Sequence, residues 1–490
     1  VTRPVALGFD VGTSAVKAGL LRLDTDEPLM AVSHPYPSTR PWPGWVEQDP
    51  EHWLEGMARC WADLQAIAGP VELRSVGVCS QVNTHVFVDE ELAPVRPAIT
   101  WQDTRAAEVA AELDAAADDR REELWGGPFT IDASFPLARL RWLERAHPRQ
   151  RSTTRWLLLP KDFCIARLTG EIVTDPLSPV GLVGGDVRYR AGVLELVEGA
   201  ADLLPPLRAP DEAAGTTAPG NAVGLPGGLP VATSTMDAWG SIFGAGLVQP
   251  GRALDLAGTS EVVAVASDSA TPVPGIVSFP PVGGLMVHAG PTQAGGSALD
   301  WVAGLLSCSV PEALAAAEVA SREPQPIVFL PHLDGERAPY WNPDARGVFL
   351  GLTTETGPGH LALAVLEGVA HAVRMVLDGC EAAAQREVPA VRLAGGGARS
   401  RLWNQLKADA VSRPVEVLAT LEAGVLGATL LGMVAAGLGP DVPTLAEDLV
   451  HVADRLEPRP AMVSRMDDLY GVYAAGYRAL EPLFARLSAV

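Results

Sequence analysis

Apolar residues run almost unbroken over residues 5–10 and again over 15–23, with Asp10, Gly12, Thr13 and Ser14 at the junction. That pattern predicts two strands joined by a glycine-containing turn. β-Branched residues predict a further strand over 71–77. A short one over 391–393 runs straight into Gly395, Gly396 and Gly397. Between these, apolar positions at helical spacing predict helices over 51–67, 106–117, 359–385 and 400–412. The segment EAGVLGATLLG, residues 422–432, reads as a helix of small residues able to approach its neighbours closely. Residues 204–230 crowd proline and glycine and read as an ordered loop region. Strands alternating with helices point to a mixed α/β fold.

The first hairpin has an echo. LGFDVGTSAVKAGL around residue 12 is matched by ALDLAGTSEVVAVA around residue 258, close to half the chain away. Two domains of one ancestry, each opening with the same hairpin, account for the spacing. The copies differ at one position: Asp10 precedes the first turn, and Leu256 stands in its place before the second. A Gly-Thr-Ser turn can be a mere hairpin. It can also present successive N–H groups and hydroxyls to an anion. Two such turns can grip a polyphosphate, and Asp10 beside the first can hold Mg²⁺, which takes few carboxylates plus water and phosphate oxygens. No Gly-x-x-x-x-Gly-Lys-Ser is present, so this is not a P-loop chain.

A length of 490 residues sets an expectation of two to four domains, and 48% hydrophobic residues supply large cores. A formal charge of −22 argues against nucleic acid or an anionic membrane as partner, without excluding a phosphorylated ligand held in a local nest. No apolar run reaches the expected length of a membrane span. The N-terminus lacks a signal-peptide layout, and five scattered cysteines form no disulfide or zinc pattern, so reduced thiols in the cytoplasm are expected. The nine histidines show no metal-ligand spacing.

The segments LGFDVGTS, WVEQDP, ITWQDTRA, LPKDFCIARLTGE, DLAGTS, GERAPYWNPDARGVFLGL, AGGGARSRLWNQLKADAVSRPV and EAGVLGATLLG occur in this order along the chain. Together they resemble the FGGY carbohydrate kinases over essentially its whole length. The resemblance implies an α/β protein of two duplicated actin/hexokinase-like (ribonuclease H-like) domains with an active-site cleft between them. Residues 1–245 would carry the sugar side, the first phosphate loop and the catalytic base. Residues 246–490 would carry the second phosphate loop and the adenosine site. Gly12, Thr13, Ser14 and Lys17 would then meet ATP from the first loop. Gly258, Thr259 and Ser260 would do so from the second, and Gly395, Gly396, Gly397 and Asn404 at adenosine. Asp10 resembles the metal-proximal carboxylate, and TSTMDAWGSIFGAG resembles the segment bearing the catalytic base, Asp237. Without the resemblance, Asp237 reads as an ordinary helix cap.

The acceptor is less sharply marked. SQVNTHVFVD aligns with the family's sugar turn, giving Gln81, Val82, Asn83 and, with Asp237, a wall at Trp101 as candidate substrate contacts. Xylulokinases typically carry Gln-Met-His there and an Asn after the base. This chain has Gln81-Val82-Asn83 and Ala238. Asn83 and His85 offer replacement hydrogen bonds, and Glu336 with Arg337 reads as an ion pair shaping a wall or as a sugar contact. The expected activity is transfer of the γ-phosphoryl of ATP to a ketopentose hydroxyl, with Mg²⁺. Gluconate, another ketose or an alditol follow as acceptors, and self-association into a homodimer is a further expectation. A non-catalytic relative that binds ATP or sugar and an actin-like ATPase are the competing classes. Both Asp10 and Asp237 are present, which speaks against the former, and GERAPYWNPDARG speaks against the latter.

Overall fold

A computed structural model describes residues 3–25, 27–127, 129–282 and 284–488. The chain forms two compact units. One is Val1–Gly244 with Glu422–Leu449, and the other is Ala245–Leu421 with Val450–Val490.

The first unit is built on a six-stranded sheet ordered Met30–Pro35, Ala15–Arg22, Arg3–Val11, Val71–Ser80, Pro230–Ala232, Ala213–Thr216. The first three strands pair antiparallel, the next two join in parallel, and the last is antiparallel. The hairpin of the sequence reading is there, Asp10 opposite Lys17 and Val11 opposite Val16. The region 204–230 is not all loop: Ala213–Thr216 becomes an edge strand, because its partner Pro230–Ala232 supplies the pairing that a glycine- and alanine-rich segment cannot advertise by itself. Helix Pro50–Ala68 covers this sheet. Asp49 caps it by accepting from the Glu51 N–H, Pro50 opens it, and Gly69 ends it at a φ of 70°. Its Trp53, Leu54, Met57, Cys60, Trp61 and Leu64 fall on one stripe and enter the core.

The second unit repeats the plan. Its seven-stranded sheet runs Val277–Val282, Leu285–Pro291, Glu261–Ser267, Ala253–Ala257, Val391–Ala394, Val415–Leu418, Val452–Leu456. Leaving aside the first, added strand, the pairings are again two antiparallel, two parallel and one antiparallel. The two Gly-Thr-Ser turns occupy the same place in this order, which is what a duplicated unit requires.

Two expectations need correction. Residues 422–449 were assigned with 246–490, yet they belong to the first unit. Helix Ala423–Ala435, buried from Ala423 to Met433, lies on strands Arg3–Val11 and Val71–Ser80 and on helix Asp237–Gly244. Backbones touch there. A Cβ at Gly77 would come within 1.8 Å of the Ala428 oxygen, and one at Gly427 within 1.8 Å of the Gly240 oxygen. Small residues were legible, but their destination was not. Second, helix Pro358–Ala384 is 27 residues long and, by length and composition, apolar enough to cross a membrane. Its most apolar window is 78% buried inside the unit, making it a core helix.

Candidate active site

In the first unit the Gly12-Thr13-Ser14 turn has every carbonyl taken by a protein donor. The Tyr36 hydroxyl donates to Gly12 O, Gln48 Nε2 to Thr13 O at 2.8 Å, and the Tyr36 N–H to Ser14 O at 3.2 Å. The N–H groups of Thr13 and Ser14 have no protein acceptor among the described residues. Pinning the oxygens on one side leaves the donors for a ligand on the other, the arrangement of an anion nest. Neither φ nor crowding demands glycine at position 12, since a Cβ there would meet only Ala15 O at 3.4 Å. A ligand lying on the backbone is the remaining reason for it.

Asp237 opens helix Asp237–Gly244 and is partly exposed. The four residues before it are fully buried, and the three hydroxyls among them are tied down. Thr233 Oγ1 donates to Glu212 O, Ser234 Oγ accepts from the Val78 N–H, and Thr235 Oγ1 donates to Asp175. Lys161, wholly buried, ties Asp162 at 2.6 Å, Asp175 at 3.0 Å and Thr233 O into the same brace. Burial first, and the nearby negative charge of Asp10 second, push the Asp237 carboxyl up to about 7.

Asp10, at the end of its strand, is pushed up to about 6, chiefly by burial. Lys17 pulls the other way and Glu422 adds to the rise. Its Oδ1 is buried with no hydrogen-bond partner. Lys17 Nζ lies 2.6 Å from Glu422 Oε2, with the side chain 41% exposed.

Of the sugar-turn candidates, Val82 and Asn83 are partly exposed, and Asn83 holds a left-handed φ of 51°. Arg139, fully buried, donates to Asn83 O and Ile99 O and to His85 Nδ1 at 2.7 Å. Gln81 does not fit the role of a contact residue. It is 1% exposed, its Nε2 donates to Gln48 Oε1 at 2.8 Å, and its Oε1 accepts from Thr84. It orients Gln48, which in turn holds the first turn. Trp101 is 40% exposed, and its Nε1 donates to Thr13 Oγ1 at 3.0 Å. Asp103 is locked to Arg105 at 2.6 Å, and Arg105 also meets Glu47 and lies 3.6 Å from the centre of the Trp45 ring. WVEQDP and TWQDTRA thus brace each other.

The second unit's turn is built alike. Gly296 N–H donates to Gly258 O, Gly295 and Ser297 N–H to Thr259 O, and Gly258 N–H to Ser260 O. The Thr259 and Ser260 N–H groups have no protein acceptor among the described residues. Buried Lys407 joins Asp255 at 2.7 Å and Glu261 at 2.9 Å, one on each strand flanking the turn. Burial and Asp255 push the Glu261 carboxyl well up, while Lys407 pulls it back down. At Gly395 φ is +87° and a Cβ would come within 2.4 Å of Ala257 O, so only glycine fits. Gly396 faces open space. Asn404 is 3% exposed and donates through Nδ2 to Ala398 O at 2.7 Å. It supports the glycine loop from beneath, and its Oδ1 is buried with no hydrogen-bond partner.

The family models decide what these two turns belong to. The N-terminal domain of the FGGY family of carbohydrate kinases matches residues 5–244, and its C-terminal domain matches residues 255–436. The chain belongs to the FGGY family of carbohydrate kinases. As a member of that family it is a sugar phosphotransferase that uses ATP. Among FGGY relatives, xylulose kinase of Escherichia coli (strain K12) is 33% identical over 447 residues, 88% of this chain and 90% of that protein. Xylulose kinase of Klebsiella pneumoniae is 32% identical, covering 98% of this chain and all of that one. The crystal structure of xylulose kinase from Rhodospirillum rubrum superposes with a TM-score of 0.83 at 30% identity, covering 98% and 100%.

Within this FGGY chain the sequence reading missed Tyr36, Lys161, Asp175 and Lys407. Each supports a turn or the Asp237 segment from a distant stretch of chain. Lys161 and Lys407 lay inside segments already noted, but nothing local distinguishes a buried lysine from a surface one.

Proposed function

We propose that this FGGY kinase transfers the γ-phosphoryl of ATP to a hydroxyl of a ketopentose, with Asp237 as the general base. The supporting observation is a partly exposed carboxyl held near neutrality on a fully braced segment. That is the state in which a base is both ionised in useful amount and basic enough to accept a proton. The acceptor oxygen forms its bond to the γ-phosphorus, its proton passes to Asp237, and the bond to the β-phosphate oxygen breaks, releasing ADP. The N–H groups of Thr13, Ser14, Thr259 and Ser260 are proposed to meet the phosphates, and Gly395–Gly397 the adenosine. Asp10, whose Oδ1 is buried without a hydrogen-bond partner, fits the one or two carboxylates through which a phosphate-bound Mg²⁺ is held. Bound there, the ion would neutralise charge on the phosphates. No group of three or more His, Cys, Asp or Glu able to hold a metal occurs among the described residues.

The acceptor class rests on the similarity to xylulose kinases together with the partly exposed Val82, Asn83 and Trp101. An ADP-release screen over ketoses, aldonates and polyols tests it. The highest kcat/KM should fall on a ketopentose. Gluconate or an alditol as the best acceptor overturns the acceptor class, and ATP hydrolysis indifferent to sugar overturns the kinase reading.

A further inference from the structure

Arg337 stands beside the second turn without a counter-ion. Its Nη2 donates to Ser260 Oγ at 3.1 Å and to Thr292 O, and its Nε to Thr292 O at 3.2 Å. The neighbouring Glu336, which the sequence offered as its ion-pair partner, is fully engaged elsewhere. Glu336 Oε1 accepts from the Gln293 N–H at 2.6 Å and from Arg337's own backbone N–H, and Oε2 meets His332 Nδ1 at 2.6 Å. No carboxylate lies within ion-pair distance of the Arg337 guanidinium among the described residues. The group is largely buried; loss of water depresses its affinity for its proton, and the Glu336 charge offsets this only in part. A half-desolvated cation with no partner is costly unless an anion completes it. Among the described residues the side chain it bonds is the hydroxyl of a turn whose N–H groups have no protein acceptor.

We infer that Arg337 and the Thr259 and Ser260 N–H groups form one anion site, in which Arg337 binds the phosphate chain of the nucleotide. Thr292 O fixes Nε and Nη2, so the guanidinium is aimed in advance, and Nη1 stays available for a phosphate oxygen. The Glu336 carboxylate holds the backbone of Arg337 and the 293 peptide, setting where that cation sits. This deepens the kinase reading and rests on it. The competing role is a staple that merely ties Ser260 to Thr292.

Calorimetric affinities for ATP, ADP, adenosine and inorganic pyrophosphate separate the two in wild type, Arg337→Lys and Arg337→Gln. Lys keeps the charge, whereas Gln keeps a neutral donor. Arg337→Gln should weaken ATP, ADP and pyrophosphate at least about tenfold, which is about 1.4 kcal/mol, and leave adenosine within about twofold. Arg337→Lys should stay within about threefold of wild type for all four. Near-neutral effects of Arg337→Gln, a matching fall for adenosine, or a Lys variant as weak as the Gln variant would each overturn the proposal. Arg337→Met repeats the comparison should the Gln protein fail to fold. Pyrophosphate binding that needs Arg337, in a wild type that does not bind ATP, would keep the anion site and sink the kinase reading.

Discussion

Asp237 is able to accept a proton only when it has none, and its raised pKa puts that condition near pH 7. The acid limb of kcat/KM should therefore fall below a midpoint near pH 7. Asp237→Asn should lower kcat about 10²–10⁴-fold while leaving ATP affinity within about threefold. A variant within a few-fold of wild type would return Asp237 to the role of helix cap. The same shift bears on stability with a definite sign. Between the ordinary carboxyl value of 3.8 and about 7 the folded chain holds a proton the unfolded chain has released, so stability falls as pH rises through that window. Asp237→Asn should melt higher than wild type at pH 8, with the advantage shrinking toward pH 4. Asp10→Asn should lower kcat and raise the Mg²⁺ concentration needed for half-maximal rate; unchanged values would remove Asp10 from the metal. Lys161→Met strands two buried carboxylates and should cost about 3–5 kcal/mol in a urea titration. The residues proposed to carry chemistry stand out in the sequence because they sit in short contiguous motifs such as GFDVGTS and TSTMD. Gln81 and Asn404 lie in such motifs too, yet they are buried. Sequence locates a motif without saying which of its side chains face outward.

At the scale of the element, helix Ala423–Ala435 shows what small residues are for. Gly427 sits against the backbone of helix Asp237–Gly244 and the Ala428 backbone against Gly77, with no room for a Cβ at Gly427 or Gly77. Gly427→Val should lower the urea midpoint, with an overpacking cost of about 1–3 kcal/mol or more, since the neighbour is backbone and cannot turn aside. It should also reduce kcat by disturbing the helix that starts at Asp237. An unchanged midpoint would mean the two helices are further apart than described. The strands and helices that the sequence marks lie within a few residues of the observed ones because their apolar spacing is strong; the 29-residue helix Pro460–Ser488 was not among them. The edge strand Ala213–Thr216 was not, because its pairing partner rather than its own composition makes it a strand.

Across the whole molecule, the echo between residues 12 and 258 anticipated a repeated sheet, and the strand pairings of the two units bear that out. Contiguous halves did not follow from it. The chain leaves the first unit after Gly244 and re-enters it at Glu422. A fragment of residues 1–244 should therefore expose the glycine-lined face that helix Ala423–Ala435 covers. It should bind a hydrophobic dye and precipitate on concentration. A chain of the same 244 residues with 422–449 joined by a flexible linker should do neither, and equal behaviour of the two would contradict the division.

That division has a meaning for how the protein is made. A ribosome adding about 5–20 residues per second needs roughly 10–35 s to travel from position 244 to position 422. Throughout that interval the earlier-made sheet waits, uncovered on one side, while the later-made unit is still being synthesised. Here vectorial synthesis does not complete the first unit first. The first unit closes only when the helix at 423–435 emerges, and until then its bare glycine face is the surface a chaperone would meet.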